Sequence, residues 1–171
     1  MVVIGIDPGV ASTGFGVVRV EGARMSALDG GVIEAPTGER AEGRLSRIHD
    51  ALVELLAKHE PLAVALEYVY FGRNVRSAIA VGQARGVTLL AAAQRSVECF
   101  DYTPQAVKMS VCGNGAATKE QVQRMVGLLL GLRGAPRSNH ASDALAVAIC
   151  HAAHSSMAQA LGARSGEVGV S

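Results

Sequence analysis

The chain has no tryptophan, and only 4% of its 171 residues are aromatic. Cysteine is scarce as well: Cys99, Cys112 and Cys150 are scattered and odd in number. They form no CxxC pair and no zinc spacing, which speaks against a disulfide scaffold or a zinc finger and for a reducing, cytoplasmic setting. No apolar run is long and uncharged enough to span a bilayer. The N-terminus shows neither the basic start nor the small-residue cleavage site of a secretion signal. No membrane partner is therefore expected. No internal repeat and no domain boundary are visible. One globular domain is expected over residues 1–154, with a small-residue, Gly-rich, flexible tail over 155–171.

What is present is apolar: 49% of the residues are hydrophobic, enough for a core. The net charge is only +1, but it is unevenly placed. Residues 1–67 hold 6 basic and 10 acidic residues, whereas residues 68–142 hold 9 basic and 3 acidic ones. No acid occurs between Tyr68 and Val97, a stretch that carries Arg73, Arg76, Arg85 and Arg95. Such asymmetry suits a surface that meets a polyanion, and it equally suits dispersed, solvated side chains.

The element order is readable from periodicity and punctuation. Residues 2–7, 13–20 and 24–34 read as three strands in an antiparallel meander, with turns or bulges at Gly22 and Gly30–Gly31. Leu45, Ile48, Leu52, Leu55 and Leu56 give a one-sided helical pattern over 39–60, ended by Pro61. Residues 62–67 and 97–102 read as further strands, and 74–95 as a small-residue helix. Pro104 suits a helix start. Thr118 suits the N-cap of a helix to about Leu132. Ser138 or Asn139 can cap a last helix ending near His154. The prediction is an α/β fold: a five-stranded mixed sheet with helices on both faces.

Three acids stand out by position. Asp7 and Glu67 each end an apolar strand, and Asp143 lies in the first turns of the last helix. His140 precedes Asp143 by three residues, so the two share a helix face. Two like charges about 4 Å apart repel by roughly 4 kcal/mol at an effective dielectric near 20. A hard divalent cation reverses that cost, and oxygen donors suit Mg²⁺ or Mn²⁺. Two such ions about 3.5–4 Å apart can activate water and stabilise the leaving oxygen of a phosphodiester. Asp7, Glu67, His140 and Asp143 are the candidate metal ligands and catalytic groups. Taken singly, Asp7 could be a turn residue, and Asp143 could favour the helix dipole. His151 and His154 share the same spacing but are read as solvated side chains near a helix end.

Of six aromatic residues, Tyr68, Tyr70 and Phe71 follow Glu67 directly. Aromatic faces stack on unpaired bases, and guanidinium groups hold phosphates. Tyr70 or Phe71, with Arg73 and Arg76, are candidates for DNA contact, whereas Tyr68 is expected to cap the core. Lys108 and Lys119 flank the loop GNGAA at 113–117. Either can contact phosphate or stabilise charge at a scissile group, although isolated lysines are more often simply solvated.

The segments GIDPGVASTGFGVV, LEYVYFGRNVRSAIAVGQARG, AVKMSVCGNGAATKEQVQRMV and NHASDALAVAICH, in that order to about residue 154, resemble the RuvC family of Holliday junction resolvases. The resemblance implies an RNase H-like fold, a homodimer, and cleavage of two opposed strands of a four-way DNA junction. It implies Mg²⁺, with Mn²⁺ as a substitute and two ions per subunit, and no use of ATP. Asp7, Glu67 and Asp143 match the family's catalytic acids. His140 matches a fourth position where members carry Asp or His, and a neutral imidazole there brings nitrogen and less charge. Tyr70 matches an aromatic residue, usually Phe, that meets bases at the junction centre. Lys108 and Lys119 match lysines implicated in junction handling and catalysis. The helix 74–95 matches the implied dimer interface, and the RuvA–RuvB branch-migration complex is the implied partner.

Rival readings share parts of this pattern. The run VVIGIDPGVASTGFGVV resembles the phosphate hairpin of an actin-like ATPase lobe, but 171 residues cannot supply two lobes. Another RNase H-like nuclease, acting on RNA or duplex DNA, would use the same acids. A non-catalytic junction binder would not need them.

Overall fold

A computed structural model describes residues 1–9, 11–36, 38–68, 75–134 and 138–166. For residue 76 and residues 156–166 it describes the backbone alone. Five strands form one sheet: β1 (Val2–Asp7), β2 (Ser12–Glu21), β3 (Arg24–Glu34), β4 (Ala63–Glu67) and β5 (Glu98–Tyr102). The strand order is β3-β2-β1-β4-β5. The first three strands pair antiparallel, and β1–β4 and β4–β5 pair parallel. This is the mixed sheet expected from the sequence. Its decisive feature is that β4, met 56 residues after the end of β1, returns to lie beside it. Ile6 stands opposite Leu66, so Asp7 and Glu67 finish neighbouring strands at the same level.

Five helices cover the sheet: α1 (Ala41–His59), α2 (Val75–Gln94), α3 (Pro104–Cys112), α4 (Lys119–Leu129) and α5 (Asn139–Gly166). Strand alternation divides the core in two. Ile4, Ile6, Val17 and Leu66 pack against α1 and α2 on one face. Val3, Val18 and Ala65 pack against α3, α4 and α5 on the other. Ile6 and Leu66 are fully buried, and each contributes about 1.5–3 kcal/mol by leaving water. Local signals fix the helix starts. Thr103 accepts from the Ala106 N–H at the head of α3, with Pro104 in the first turn. Thr118 and Gln121 form a reciprocal capping box on α4.

Two expectations need correction. Helix α5 runs on to Gly166 and does not end near His154. The stretch Ser155–Arg164 contains Met, Gln, Ala, Leu and Arg, which are strong helix formers, so its small residues do not break the helix. The register irregularity of the meander falls between Val17 and Val18, where Leu28 is the extra residue of β3. Gly30 and Gly31 pair regularly with Gly16 and Phe15. The missing side chain at Gly31 makes room for the Phe15 ring, which would lie 3.0 Å from a β-carbon there. Gly22, by contrast, does make the β2–β3 turn, with φ of 59°. Among the described residues no helix is long and apolar enough to cross a membrane.

Candidate active site

Odd-numbered residues of β1 and β4 face α5, so Asp7 and Glu67 leave their strands on the side where that helix begins. The first turns of α5 bring His140 and Asp143 to the same place. The His140 Nδ1–H donates to Asp7 Oδ2 at 2.8 Å. From the head of α4, Lys119 Nζ donates to Asp143 Oδ2 at 2.7 Å. A cleft of about 260 Å³ opens here, lined by Glu67, Lys108, Lys119 and Asp143 over an apolar floor that includes Val107 and Val122.

The electrostatics report crowding of like charge. Burial, with the charges of Asp7 and Asp143, pushes the Glu67 carboxyl up to about 7. Burial also raises Asp7, although its bond to His140 pulls the other way. Lys119 is held above its usual value, first by the hydrogen bond to Asp143. Lys119 and Lys108 offset part of the negative field at Glu67. Among the described residues, no three acid, imidazole or thiol groups stand close enough to ligate one ion as they are. Lys119 and His140 hold carboxylate oxygens for which a cation would compete. Three carboxylates and one imidazole, with Glu67 driven toward its neutral form by burial and then by its acidic neighbours, make a donor set that fits a hard divalent cation.

Glu67, Asp143 and both lysines line this cleft; Asp7, whose charge is felt at Glu67, and His140, bonded to Asp7, lie outside its lining. Tyr70, Phe71 and Arg73 lie outside the described residues, and Arg76 is described only by its place in α2. Tyr68 does not cap the core. It is 46% exposed and lies one residue past the end of β4, its N–H bonded to the carbonyl of Tyr102. His151 is not solvated either. It is buried against β5, where the Tyr102 hydroxyl meets Nδ1 at 2.9 Å. His154 is exposed, as expected.

Sequence reasoning passed over three residues that shape the site: Gly5, Gly14 and Gly16. Their signal was legible as alternation, since all three face α5.

A family model described as "Crossover junction endodeoxyribonuclease RuvC" matches residues 3–151. The crossover junction endodeoxyribonuclease RuvC of Rubrobacter xylanophilus is 50% identical over 161 residues, covering 94% of this chain and 90% of that protein. The structure of Thermus thermophilus RuvC superimposes with a TM-score of 0.87 at 43% identity, covering 92% of this chain and 97% of the other. The structure of T. thermophilus RuvC in complex with Holliday junction substrate gives a TM-score of 0.89, also at 43% identity, covering 92% and 96%.

Proposed function

Because the chain belongs to the RuvC family of crossover junction endodeoxyribonucleases, we propose that it resolves four-way (Holliday) DNA junctions by hydrolysing phosphodiesters in two opposed strands. Its mixed sheet is the RNase H-like fold. The observation that carries the reading is the nearness of Asp7 and Asp143 to Glu67, whose carboxyl is pushed up to about 7 by burial first and then by their charges, with His140 bonded to Asp7.

These four residues would hold Mg²⁺, with Mn²⁺ able to replace it, in a site for two ions per subunit. The bound cation supplies an acidified water and neutralises charge on the phosphate. Asp7 and Asp143 would contribute carboxylate oxygens to it, and His140 a ring nitrogen. Glu67, raised by burial and its acidic neighbours while no cation is present, would be drawn to its ionised form by a bound cation and add a further oxygen donor. Lys119 lies beside Asp143 and stays charged, so it can steady the negative charge that builds on the scissile phosphate. Lys108, on the same cleft, would hold a neighbouring phosphate.

Junction selectivity rests on the segment after β4. Tyr70 or Phe71 would stack on bases exposed at the junction centre, and Arg73 and Arg76 would bind phosphates. Paired nicks require two sites related by two-fold symmetry, hence a homodimer. Helix α2 supports this with a strip of exposed apolar side chains, including Val75, Ile79 and Leu90. Gly82 and Gly86 meet nothing within 4 Å of where a β-carbon would lie, so a second backbone could come close. By family, the RuvA–RuvB complex is the partner and the cytoplasm the setting.

The test is cleavage of a synthetic mobile four-way junction beside a linear duplex of matching sequence, with and without Mg²⁺. Symmetric paired nicks in the junction alone, and only with the cation, are expected. Equal cutting of the duplex would overturn the substrate assignment.

A further inference from the structure

Three strand residues that face α5 have no side chain. A β-carbon on Gly5 would lie 1.9 Å from the carbonyl oxygen of Ala144 and 2.8 Å from the nitrogen of Ala148. On Gly14 it would lie 2.2 Å from the carbonyl oxygen of His140. On Gly16 it would lie 2.6 Å from Leu145 Cγ and 2.8 Å from the Leu145 nitrogen. Real contacts of this kind essentially never fall under 3.0 Å. The obstructing atoms at Gly5 and Gly14 are backbone, which cannot turn aside as a rotamer can. The register joins the three: Gly5 pairs with Gly16, and Gly14 pairs with Asp7. Glycine inside a strand commonly marks such a close approach.

We infer that Gly5, Gly14 and Gly16 form a bare seat on β1 and β2 that sets the height of α5, and so places His140 and Asp143 against Asp7. Gly14 is the critical position. It stands opposite Asp7 in the ladder and beneath the backbone of His140, whose ring holds Asp7 at 2.8 Å. A methyl group there lifts the first turn of α5 and opens the cleft. These are positioning residues, and their role rests on the reading of Asp7, Glu67, His140 and Asp143 as the cation-holding set.

The test compares Gly14→Ala with Gly30→Ala, whose β-carbon would meet its nearest atom at an ordinary 3.6 Å. Single-turnover cleavage at saturating junction, Mn²⁺ binding by calorimetry, junction affinity without metal and urea unfolding are measured for each. Gly14→Ala is expected to lower the cleavage rate about a hundredfold, as misplacement by about 1 Å can. It should weaken Mn²⁺ binding while junction affinity holds. Gly30→Ala should change none of these. A wild-type rate and Mn²⁺ affinity in folded Gly14→Ala would overturn the inference. So would a loss of junction affinity in step with the rate.

If Gly14→Ala does not fold, Gly16→Ala decides. Its crowding is mainly with the Leu145 side chain, so adding Leu145→Ala should restore part of the lost rate; no restoration would overturn the seat. Asp7→Asn separates the two readings. If Asp7→Asn cuts normally, the cation site itself is wrong. If Asp7→Asn is inactive and Gly14→Ala is not, only the seat fails.

Discussion

Helix α5 carries two polar pairs with the same spacing, His140–Asp143 near its start and His151–His154 three turns later. At the first pair, two strands deliver carboxylates, and the result is a strained acidic cluster. At the second, β5 delivers Phe100 and Tyr102, and the result is a hydrogen-bonded network that holds no carboxylate. The Tyr102 hydroxyl and His151 Nδ1 share a hydrogen bond of 2.9 Å, and the opposite ring nitrogen shares one of 3.0 Å with Ser155 Oγ. The His154 Nδ1–H returns to the carbonyl of Cys150 at 2.8 Å. The Phe100 ring lies 4.6 Å from that of His151. Spacing along a helix makes neighbours, but the charge brought by other elements decides whether they become a site.

Removing an acid from the first cluster should produce the largest effect. Asp7→Asn is expected to slow junction cleavage about a thousandfold, the upper range for losing one preorganised charge-stabilising group. Single-turnover assays check this, and His151→Gln should leave the rate unchanged. Lys119→Met comes next, with a loss of about a hundredfold in the same assay. Its cost in stability should stay under about 1 kcal/mol, because the pair with Asp143 is half-exposed. Urea unfolding separates the two quantities.

At the other end of the helix the order reverses. Tyr102→Phe removes the hydrogen-bond partner of a buried imidazole and should cost about 1–2 kcal/mol of stability, with cleavage unaffected.

The smallest effect is in pH dependence, where the two ends have opposite signs. Burial, first, and the charge of His154 hold His151 below its usual 6.5. Its contribution is therefore complete above about 6.5 and is lost as pH falls from there through the lowered folded value. Glu67 is raised to about 7 from 4.5, so it gains stability as pH falls through that interval. The share of His151 is read as the difference between wild type and His151→Gln, unfolded in urea at pH 7.5 and 5.5. Equal pH slopes for the two proteins would contradict it.

The same contrast explains what could be read in the sequence. Asp7 and Glu67 were visible because each ends an apolar run, and Asp143 because it shares a helix face with His140. Their meeting depends on β4 returning beside β1, a long-range pairing that no local pattern encodes; there the family resemblance carried the reading. Tyr68 was misjudged because it lies one residue past the end of β4, where strand alternation no longer says which side chain faces the core. His151 was misjudged because its partner, Tyr102, lies 49 residues away. The end of α5 was misplaced by giving small residues more weight as breakers than their helix propensity allows. Tyr70, Phe71 and Arg73 lie outside the described residues, so their roles still rest on the sequence.

Mn²⁺ binding tests the central contrast most directly, because it needs neither DNA nor turnover. Calorimetric titration of wild type, Asp7→Asn, Glu67→Gln and His151→Gln should show binding lost in the two acid variants and retained in His151→Gln. Undiminished Mn²⁺ affinity in Asp7→Asn and Glu67→Gln would contradict the account.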